Sequence, residues 1–199
     1  MESDKNLQSF KIDERDVRLQ QLNNELLIIK KENERINKEL EKWKYYAQRD
    51  EMTEIINKRE GMRLLEKEIE VSFTTNKPLT ICFIDIDDLK EVNDTYGHVE
   101  GDNLIIDTVN IIIDNIRKYD IAYRFGGDEF VIIFPNTIIE EAAEVWNRIN
   151  NKVNQFNAIS NKYMIKLSHG ICEYPIKQKI SIDEFLNLAD KKMYENKQK

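Results

Sequence analysis

The chain has 199 residues, of which 41% are hydrophobic and 34% are charged, and its net charge is −7 at pH 7. This size suits one ordinary globular domain together with a more polar segment. The negative charge argues against a broad basic surface for a nucleic-acid polymer, so an anionic ligand must be held locally, by a metal or by a few placed cations.

Two further features bear on where the protein works. The sequence has no run of about 18 apolar residues that could cross a membrane, and its acidic N-terminus does not resemble a signal peptide. Cys82 and Cys172 both lie inside apolar segments, which favours small buried side chains in a reducing cytosol over a disulfide. We therefore expect a cytoplasmic protein without a membrane segment in this chain.

The N-terminal residues 1–49 contain no glycine and no proline, and a heptad pattern runs through them from Leu19 onward. Its a positions are Leu19, Leu26, Asn33, Leu40 and Ala47, and its d positions are Leu22, Ile29, Ile36 and Trp43. Glu25 and Lys30 place opposite charges at a g and the following e position, as in a parallel two-stranded coiled coil. The alternative is a single solvated helix. Four consecutive heptads favour a coiled-coil dimerisation stalk over residues 1–49.

From residue 50 onward the chain alternates between helical and strand-like segments. Apolar residues at helical spacing predict helices around residues 62–73, 105–116, 142–156 and 185–193. Strands are predicted at "PLTICFIDID" (78–87), on both sides of Gly126-Gly127, and at "YMIKLSHGICEY" (163–174). This order predicts an α+β fold, in which one sheet with flanking helices is built around a βαββαβ core.

The last helix has the clearest start of all. Ser181 and Glu184 form the sequence pattern of a capping box. Behind it, the helix is expected to bury Phe185, Met193 and either Leu188 or Ala189.

Carboxylates gather where two of the predicted strands end. Asp85 and Asp87 close the first strand, and Asp128 and Glu129 follow the glycine pair of the hairpin. If the hairpin pairs beside the first strand, Asp85 and Asp128 meet at one spot and repel each other unless a cation lies between them. Hard oxygen ligands on rigid backbone suit Mg²⁺ or Mn²⁺ and leave positions for substrate phosphates.

The glycine pair itself allows two interpretations. Gly126 and Gly127 would permit a turn with positive φ, and they would let a phosphate or a base approach the backbone without a Cβ in the way. From "GGDE" alone, an ordinary acidic hairpin turn is an equal alternative.

Longer stretches resolve this ambiguity. The segments "DIDDLKEVNDTYGHVEGDNL" (85–104), "RFGGDEF" (124–130), "DEMTEIINKR" (50–59), "LSHG" (167–170) and "ADKKMYENK" (189–197) together resemble the GGDEF family of diguanylate cyclases. The resemblance covers residues 50–199. It implies a palm-like, mostly antiparallel sheet and an enzyme that condenses two GTP molecules into cyclic di-GMP, with release of two pyrophosphates.

The resemblance also implies roles for individual residues. Asp85, Asp128 and the backbone carbonyl of Ile86 would hold the metal, and Asp128 is also the candidate general base. Lys90 would neutralise charge on the transferring phosphoryl group. Glu129 would act as a supporting acid beside them.

Four more residues match substrate-binding positions of the family. Asn93 and Asp102 match its guanine-reading residues, and an ionised aspartate can accept both N1–H and the 2-amino group, a donor pair that adenine lacks. On their own, the two would be a helix-capping residue and a first-turn acid. His98 contacts substrate or makes a structural hydrogen bond, and Lys197 matches a phosphate-binding lysine.

Arg117 and Asp120, in "RKYD", lie five residues before the glycine pair. This is the spacing of the product-inhibition site of the family. Arg148 matches a second product-binding arginine, although on its own it could be a solvated helix residue. Arginine forks suit phosphates and the N7/O6 edge of guanine.

The sequence departs from the family pattern in three places. Met52-Thr53-Glu54 replaces the usual Leu-Thr-Gly, Leu89 replaces a phenylalanine, and Asn196 replaces an alanine in the closing helix, without the Gly-Arg that usually follows. Two other functions remain as alternatives. One is a catalytically silent domain that binds cyclic di-GMP, and the other is a coiled-coil scaffold with an inert domain.

Overall fold

The computed structural model describes the backbone of residues 2–198 and the side chains of residues 15–198. It contains the helices α1 (Glu2–Ala47), α2 (Lys58–Thr75), α3 (Leu89–Tyr96), α4 (His98–Asn115), α5 (Ile139–Ile159) and α6 (Ile182–Lys197). The strands are β1 (Leu79–Ile86), β2 (Ile121–Arg124), β3 (Glu129–Pro135) and β4 (Leu167–Glu173). Residues up to Ala47 form one compact unit and those from Gln48 onward form a second.

The second unit is built around one four-stranded sheet. The strands lie in the order β2-β3-β1-β4, and every neighbouring pair is antiparallel. With helices between β1 and β2 and between β3 and β4, this is the βαββαβ arrangement. The predicted α+β fold class, a long N-terminal helix followed by a palm-like antiparallel sheet with flanking helices, is confirmed.

Both faces of the sheet are covered, because successive side chains of a strand point to opposite sides. Ile84 of β1 belongs to the core that α4 and α5 complete with Leu104 and Ile149. Its neighbour Phe83 belongs to the core on the other face, which includes Leu65 of α2 and other apolar residues of α2 and α6. The two cysteines are free and buried, one in each core.

The helices refine the sequence expectations in detail. In α6 the capping box is present, and Ala189 rather than Leu188 is buried. In α2 the buried stripe ends on Ser72, whereas Phe73 is 49% exposed.

The segment between β1 and α4 contains a helix that the sequence did not predict. This helix, α3, is amphipathic but too short to show a repeated apolar period, and none of its residues is fully buried. Gly97 ends it with φ of 88°, a conformation that favours glycine, and α4 starts at the next residue.

The first unit is the single helix α1. Its apolar heptad residues remain open, with Leu19 and Leu26 each 51% exposed and Leu40 47% exposed. Its assignment as a dimerisation stalk stays a prediction at this point. Within residues 2–198, no helix has the length and apolar character needed to cross a membrane.

Candidate active site

The ends of β1 and β3 bring the predicted acids together. The hairpin pairs beside the first strand, as expected, and Asp85 lies opposite Glu129 in the register. One step further along, the Ile86 N–H donates to the carbonyl of Asp128 at 3.0 Å. Three carboxylates, Asp85, Asp128 and Glu129, therefore come from adjacent strand ends.

These carboxylates repel one another. Burial raises the pKa of Asp85, and the charges of Asp128 and Asp87 raise it further, against the opposing effect of Lys197. Burial also raises the pKa of Glu129, followed by repulsion from Asp128 and Asp85. A cation placed among them would relieve this repulsion.

The glycine turn has a different geometry from the one predicted. Neither Gly126 nor Gly127 has a positive φ, so the expectation of a positive-φ turn was wrong. A Cβ at Gly126 would lie 2.4 Å from Oε2 of Glu129, so a larger residue there would require the Glu129 side chain to shift. At Gly127 a Cβ would meet no atom within 4 Å, so this position faces open space.

Sequence reasoning missed the residue that fixes this turn. The guanidinium of Arg124 donates to the carbonyl of Gly126 at 3.1 Å and to that of Gly127 at 2.7 Å. It also forms an ion pair with Asp50 at 2.9 Å. Both residues lie inside motifs that the sequence analysis quoted, but the pairing joins positions 74 residues apart along the chain.

Asp50 is held in turn by the segment that replaces the usual Leu-Thr-Gly. Its Oδ1 accepts the backbone N–H of Thr53 at 3.0 Å and the Thr53 hydroxyl at 2.7 Å. Burial opposes ionisation of Asp50, but hydrogen bonds from Thr53 and Arg124 hold its pKa below its usual range. Glu54, at the position where the family has glycine, keeps the turn by adopting φ of 58°.

Lys197 of α6 reaches the same acids from the other side. Its ammonium contacts Asp85 and lies 2.9 Å from Oδ1 of Asp87. Burial opposes the charge of Lys197, but hydrogen bonds to these two carboxylates raise its pKa. The residue predicted to bind phosphate is thus placed beside the acids and remains 41% exposed.

The predicted substrate-binding residues line α3 and the start of α4. A Cβ at Gly101 would lie 2.0 Å from Oδ1 of Asn93, so the two helices touch here and Asn93 lies beside the residue that precedes Asp102. Lys90, His98 and Asp102 are exposed and Asn93 is half-buried.

The predicted product-inhibition residues come together at the end of α4. Asp120 accepts the backbone N–H of Arg117 at 2.7 Å. Arg148 donates from Nε to the carbonyl of Asn115, the last residue of α4, at 3.1 Å. Burial raises the pKa of Asp120, opposed by the Arg117 N–H and by the charges of Arg117 and Arg148. The three side chains therefore share one charged surface.

The donor set at the strand ends fits a hard divalent cation. Among the side chains of residues 15–198, no group of three or more His, Cys, Asp or Glu is arranged to hold a metal. The candidate set is smaller, with Asp85, Asp128 and the backbone carbonyl of Ile86. Such oxygen donors suit Mg²⁺, which usually keeps several positions for water and substrate phosphates.

Comparison with known proteins shows which family has a similar sequence. Residues 47–199 match the sequence profile described as diguanylate cyclase, GGDEF domain. Diguanylate cyclase DosC of Escherichia coli is 30% identical over 146 residues, which are 73% of this chain and 32% of that protein. The uncharacterized protein YtrP of Bacillus subtilis is 31% identical over 148 residues, 74% of this chain and 24% of its own length. The chain thus spans a quarter to a third of these curated relatives.

Solved structures agree on the fold. The coiled coil and GGDEF domain of DgcB from Caulobacter crescentus, in complex with c-di-GMP, superimposes with a TM-score of 0.79 at 25% identity, covering 89% of this chain and 94% of that one. Diguanylate cyclase SiaD from Pseudomonas aeruginosa, with its activator SiaC, gives a TM-score of 0.78 at 24% identity over 99% of this chain and 76% of that one. With its strand-end acids, its "GGDEF" hairpin and its match over residues 47–199, the chain belongs to the GGDEF-domain diguanylate cyclase family.

Proposed function

We propose that this protein is a cytoplasmic diguanylate cyclase that condenses two GTP molecules into cyclic di-GMP and releases two pyrophosphates. The observation that carries the proposal is the convergence of Asp85 and Asp128 at adjacent strand ends. An inert scaffold has no use for mutually repelling, half-buried carboxylates, because they destabilise the fold.

The metal would be held by Asp85, Asp128 and the carbonyl of Ile86. When bound, Mg²⁺ or Mn²⁺ supplies Lewis-acid activation of the α-phosphate and of the attacking 3′-hydroxyl. Asp128 is the candidate base for the proton of that hydroxyl. Glu129 supports it by adding negative charge beside it, and the exposed ammonium of Lys90 is available to neutralise charge on the transferring phosphoryl group.

Substrate choice is assigned to Asn93 and Asp102. Oδ1 of Asn93 lies close to Gly101 of α4, so its amide lies beside Asp102. The Asp102 carboxylate can accept the two adjacent donors of guanine, whereas adenine would leave it unsatisfied. Lys197 would contact the triphosphate, and His98 completes the exposed surface of the same region.

Catalysis would require two copies of the chain. One domain offers one set of guanine-reading residues, so two GTP molecules must be brought together by two domains. The exposed heptad residues of α1 fit a parallel homodimer, and tethering raises the effective concentration of one domain at the other. The solved DgcB structure also comprises a coiled coil and a GGDEF domain.

Product inhibition is assigned to Arg117, Asp120 and Arg148. Their clustering at the end of α4 offers two guanidinium forks and one carboxylate on one surface. Such forks can bind the phosphates and the N7/O6 edge of guanine in cyclic di-GMP.

The deciding experiment incubates the purified full chain with GTP and Mg²⁺ and follows cyclic di-GMP by chromatography, with EDTA and ATP as controls. We expect product that depends on both GTP and the metal. Binding of cyclic di-GMP through Arg117 and Asp120 without any synthesis would instead identify a silent receptor. If the protein neither makes nor binds cyclic di-GMP, the inert scaffold is the remaining alternative.

A further inference from the structure

Ser168, on the strand that flanks β1, makes an unusual contact beside the candidate active site. Its hydroxyl lies 3.0 Å from Oδ1 and 2.9 Å from Oδ2 of Asp87. The backbone N–H of Asp87 donates to the carbonyl of Lys166 at 2.9 Å. Ser168 is only 7% exposed, so the carboxylate of Asp87 is fixed by a buried hydroxyl and by its own backbone.

The same strand sets the position of α6. A Cβ at Gly170 would lie 2.0 Å from the carbonyl oxygen of Ala189 and 2.4 Å from the backbone nitrogen of Met193. The helix backbone therefore lies directly on β4. Lys192 donates to the carbonyl of Ile171 at 2.9 Å. These contacts bring the last turn of α6, and with it Lys197, to the end of β1.

Lys197 then contacts two carboxylates with different surroundings. Asp85 is a candidate metal ligand that also faces Asp128, whereas Asp87 is paired with Ser168. Oδ1 of Asp87 accepts from Ser168 and lies 2.9 Å from the ammonium of Lys197. If Asp85 binds the metal, Asp87 is the acid that can still hold the lysine.

We propose that Ser168 and Asp87 form a dock for Lys197 that keeps its ammonium directed at the incoming triphosphate while Asp85 is engaged elsewhere. This inference rests on the proposed function and adds two positioning residues to it. Without the dock, a lysine side chain near a helix end would sample many rotamers and lose entropy on each binding event. Ser168 acts through Asp87, and Asp87 acts through Lys197.

The test is a double-mutant cycle on binding of a GTP analogue with a methylene group between the α and β phosphates, measured by calorimetry with the full chain and Mg²⁺. We expect Ser168→Ala and Asp87→Asn each to weaken binding about tenfold, the effect of about one lost hydrogen bond to a charged group. In a Lys197→Ala background, the same substitutions should cause no further loss, because the group they position is gone.

Two controls separate positioning from packing. Ser72→Ala removes another buried hydroxyl, one that donates to the carbonyl of Lys77 at 2.6 Å, and should leave binding unchanged. Asp87→Asn keeps an oxygen for Ser168 and avoids a cavity, so it remains informative if Ser168→Ala fails to fold. In turnover with GTP, the dock variants should raise KM about tenfold and change kcat less than about threefold.

The outcomes are distinct. If the wild-type chain binds the analogue but the dock variants bind equally well, or lose affinity additively with Lys197→Ala, the dock is overturned and the proposed function stands. If the wild-type chain does not bind the analogue, the proposed function fails and the dock fails with it.

Discussion

Leucine and isoleucine have opposite surroundings in the two compact units of the chain. In the unit that ends at Ala47, Leu26 is 51% exposed and Ile29 is 60% exposed. In the unit that starts at Gln48, Leu65 and Ile81 are both 0% exposed. Burying such a side chain contributes about 1.5–3 kcal/mol. The second unit gains this stabilisation within one chain, whereas α1 leaves these side chains exposed; in the proposed dimer a partner helix would bury them.

Exposed polar side chains in the second unit have a different meaning. Asp102 and Lys90 are exposed on helices that pack other residues, such as Leu104 and Val92, against the core. They are available to a small molecule, while the exposed stripe of α1 is available to a second copy of the chain. Under the proposed function, exposed side chains bind substrate in one unit and a second copy of the chain in the other.

The largest expected effect is that of Asp128→Asn, which tests the activity of the second unit separately from its stability. Asp128→Asn should lower cyclic di-GMP synthesis by about 10³-fold, because it removes an anionic ligand from the proposed metal site. The fold should survive with unchanged or slightly higher stability, since Asp128 repels Asp85 and Glu129. Turnover assays and urea unfolding measure the two effects.

Asp114→Asn is the matched control for this change, because Asp114 is an exposed acid on α4 outside the strand-end cluster. It should alter neither activity nor stability. Substantial synthesis by Asp128→Asn would refute the assignment of the site, and loss of the fold would show that the acids stabilise the unit rather than strain it.

A second prediction tests the comparison between the units directly. Residues 48–199 alone should fold, because Gln48 already belongs to that unit and its carbonyl accepts the N–H of Asn57 at 2.9 Å. At nanomolar protein, their specific activity should fall about 100-fold below that of the full chain, because encounter of two domains is no longer tethered. Much of this loss should return at high concentration.

The measurement is specific activity against protein concentration for both chains, with molar mass from light scattering. Asn33→Ile in the full chain should tighten association but loosen the choice of oligomer or register. Superimposable activity curves for the two chains would mean that the stalk does not assemble the active dimer.

Much of this fold could be predicted from local patterns. The apolar run before Asp85 predicted β1, and Ser181 with Glu184 predicted the start of α6, because both depend on neighbouring residues. The short helix α3 was missed since eight residues carry too little periodicity.

Only those residues of the candidate site that lie in recognisable sequence motifs could be predicted. Asp85 and Asp128 followed from strand ends, and the remaining assignments followed from resemblance to the family. The Arg124–Asp50 pair was missed because it depends on how distant segments pack. The positive φ expected in the glycine turn was also wrong: neither glycine has one, and Gly126 instead lies against the side chain of Glu129.

A third prediction concerns the choice between guanine and adenine at the exposed carboxylate of Asp102. Asp102→Ala should lower kcat/KM for GTP about 50-fold while changing weak ATP binding little, because only guanine offers a donor pair to this carboxylate. Asp94→Ala, which removes a neighbouring exposed acid, is the control and should affect neither nucleotide. Equal losses for both nucleotides with Asp102→Ala would make it a structural residue.

The smallest expected effect lies at the start of the second unit. Glu54 has φ of 58°, which costs an L-residue with a Cβ about 1–2 kcal/mol. Glu54→Gly should relieve this strain, less the greater entropy of glycine in the unfolded chain, for a net gain of about 0.5–1 kcal/mol. Its N–H to the carbonyl of Asp50 is a backbone bond of 2.9 Å, so the substitution leaves it intact.

Urea unfolding of the full chain and of residues 48–199 measures this gain, and Glu51→Gly provides the control. Glu51 is exposed and its φ is not positive, so glycine there should be neutral or destabilising. The gain from Glu54→Gly should be equal in both chains, because the Asp50 turn lies wholly within the second unit. A gain seen only in the full chain would mean that the stability of this turn depends on the stalk, and the two units would then not be independent. Destabilisation by Glu54→Gly in both chains would instead show that the Glu54 side chain stabilises the turn by more than its strained backbone costs.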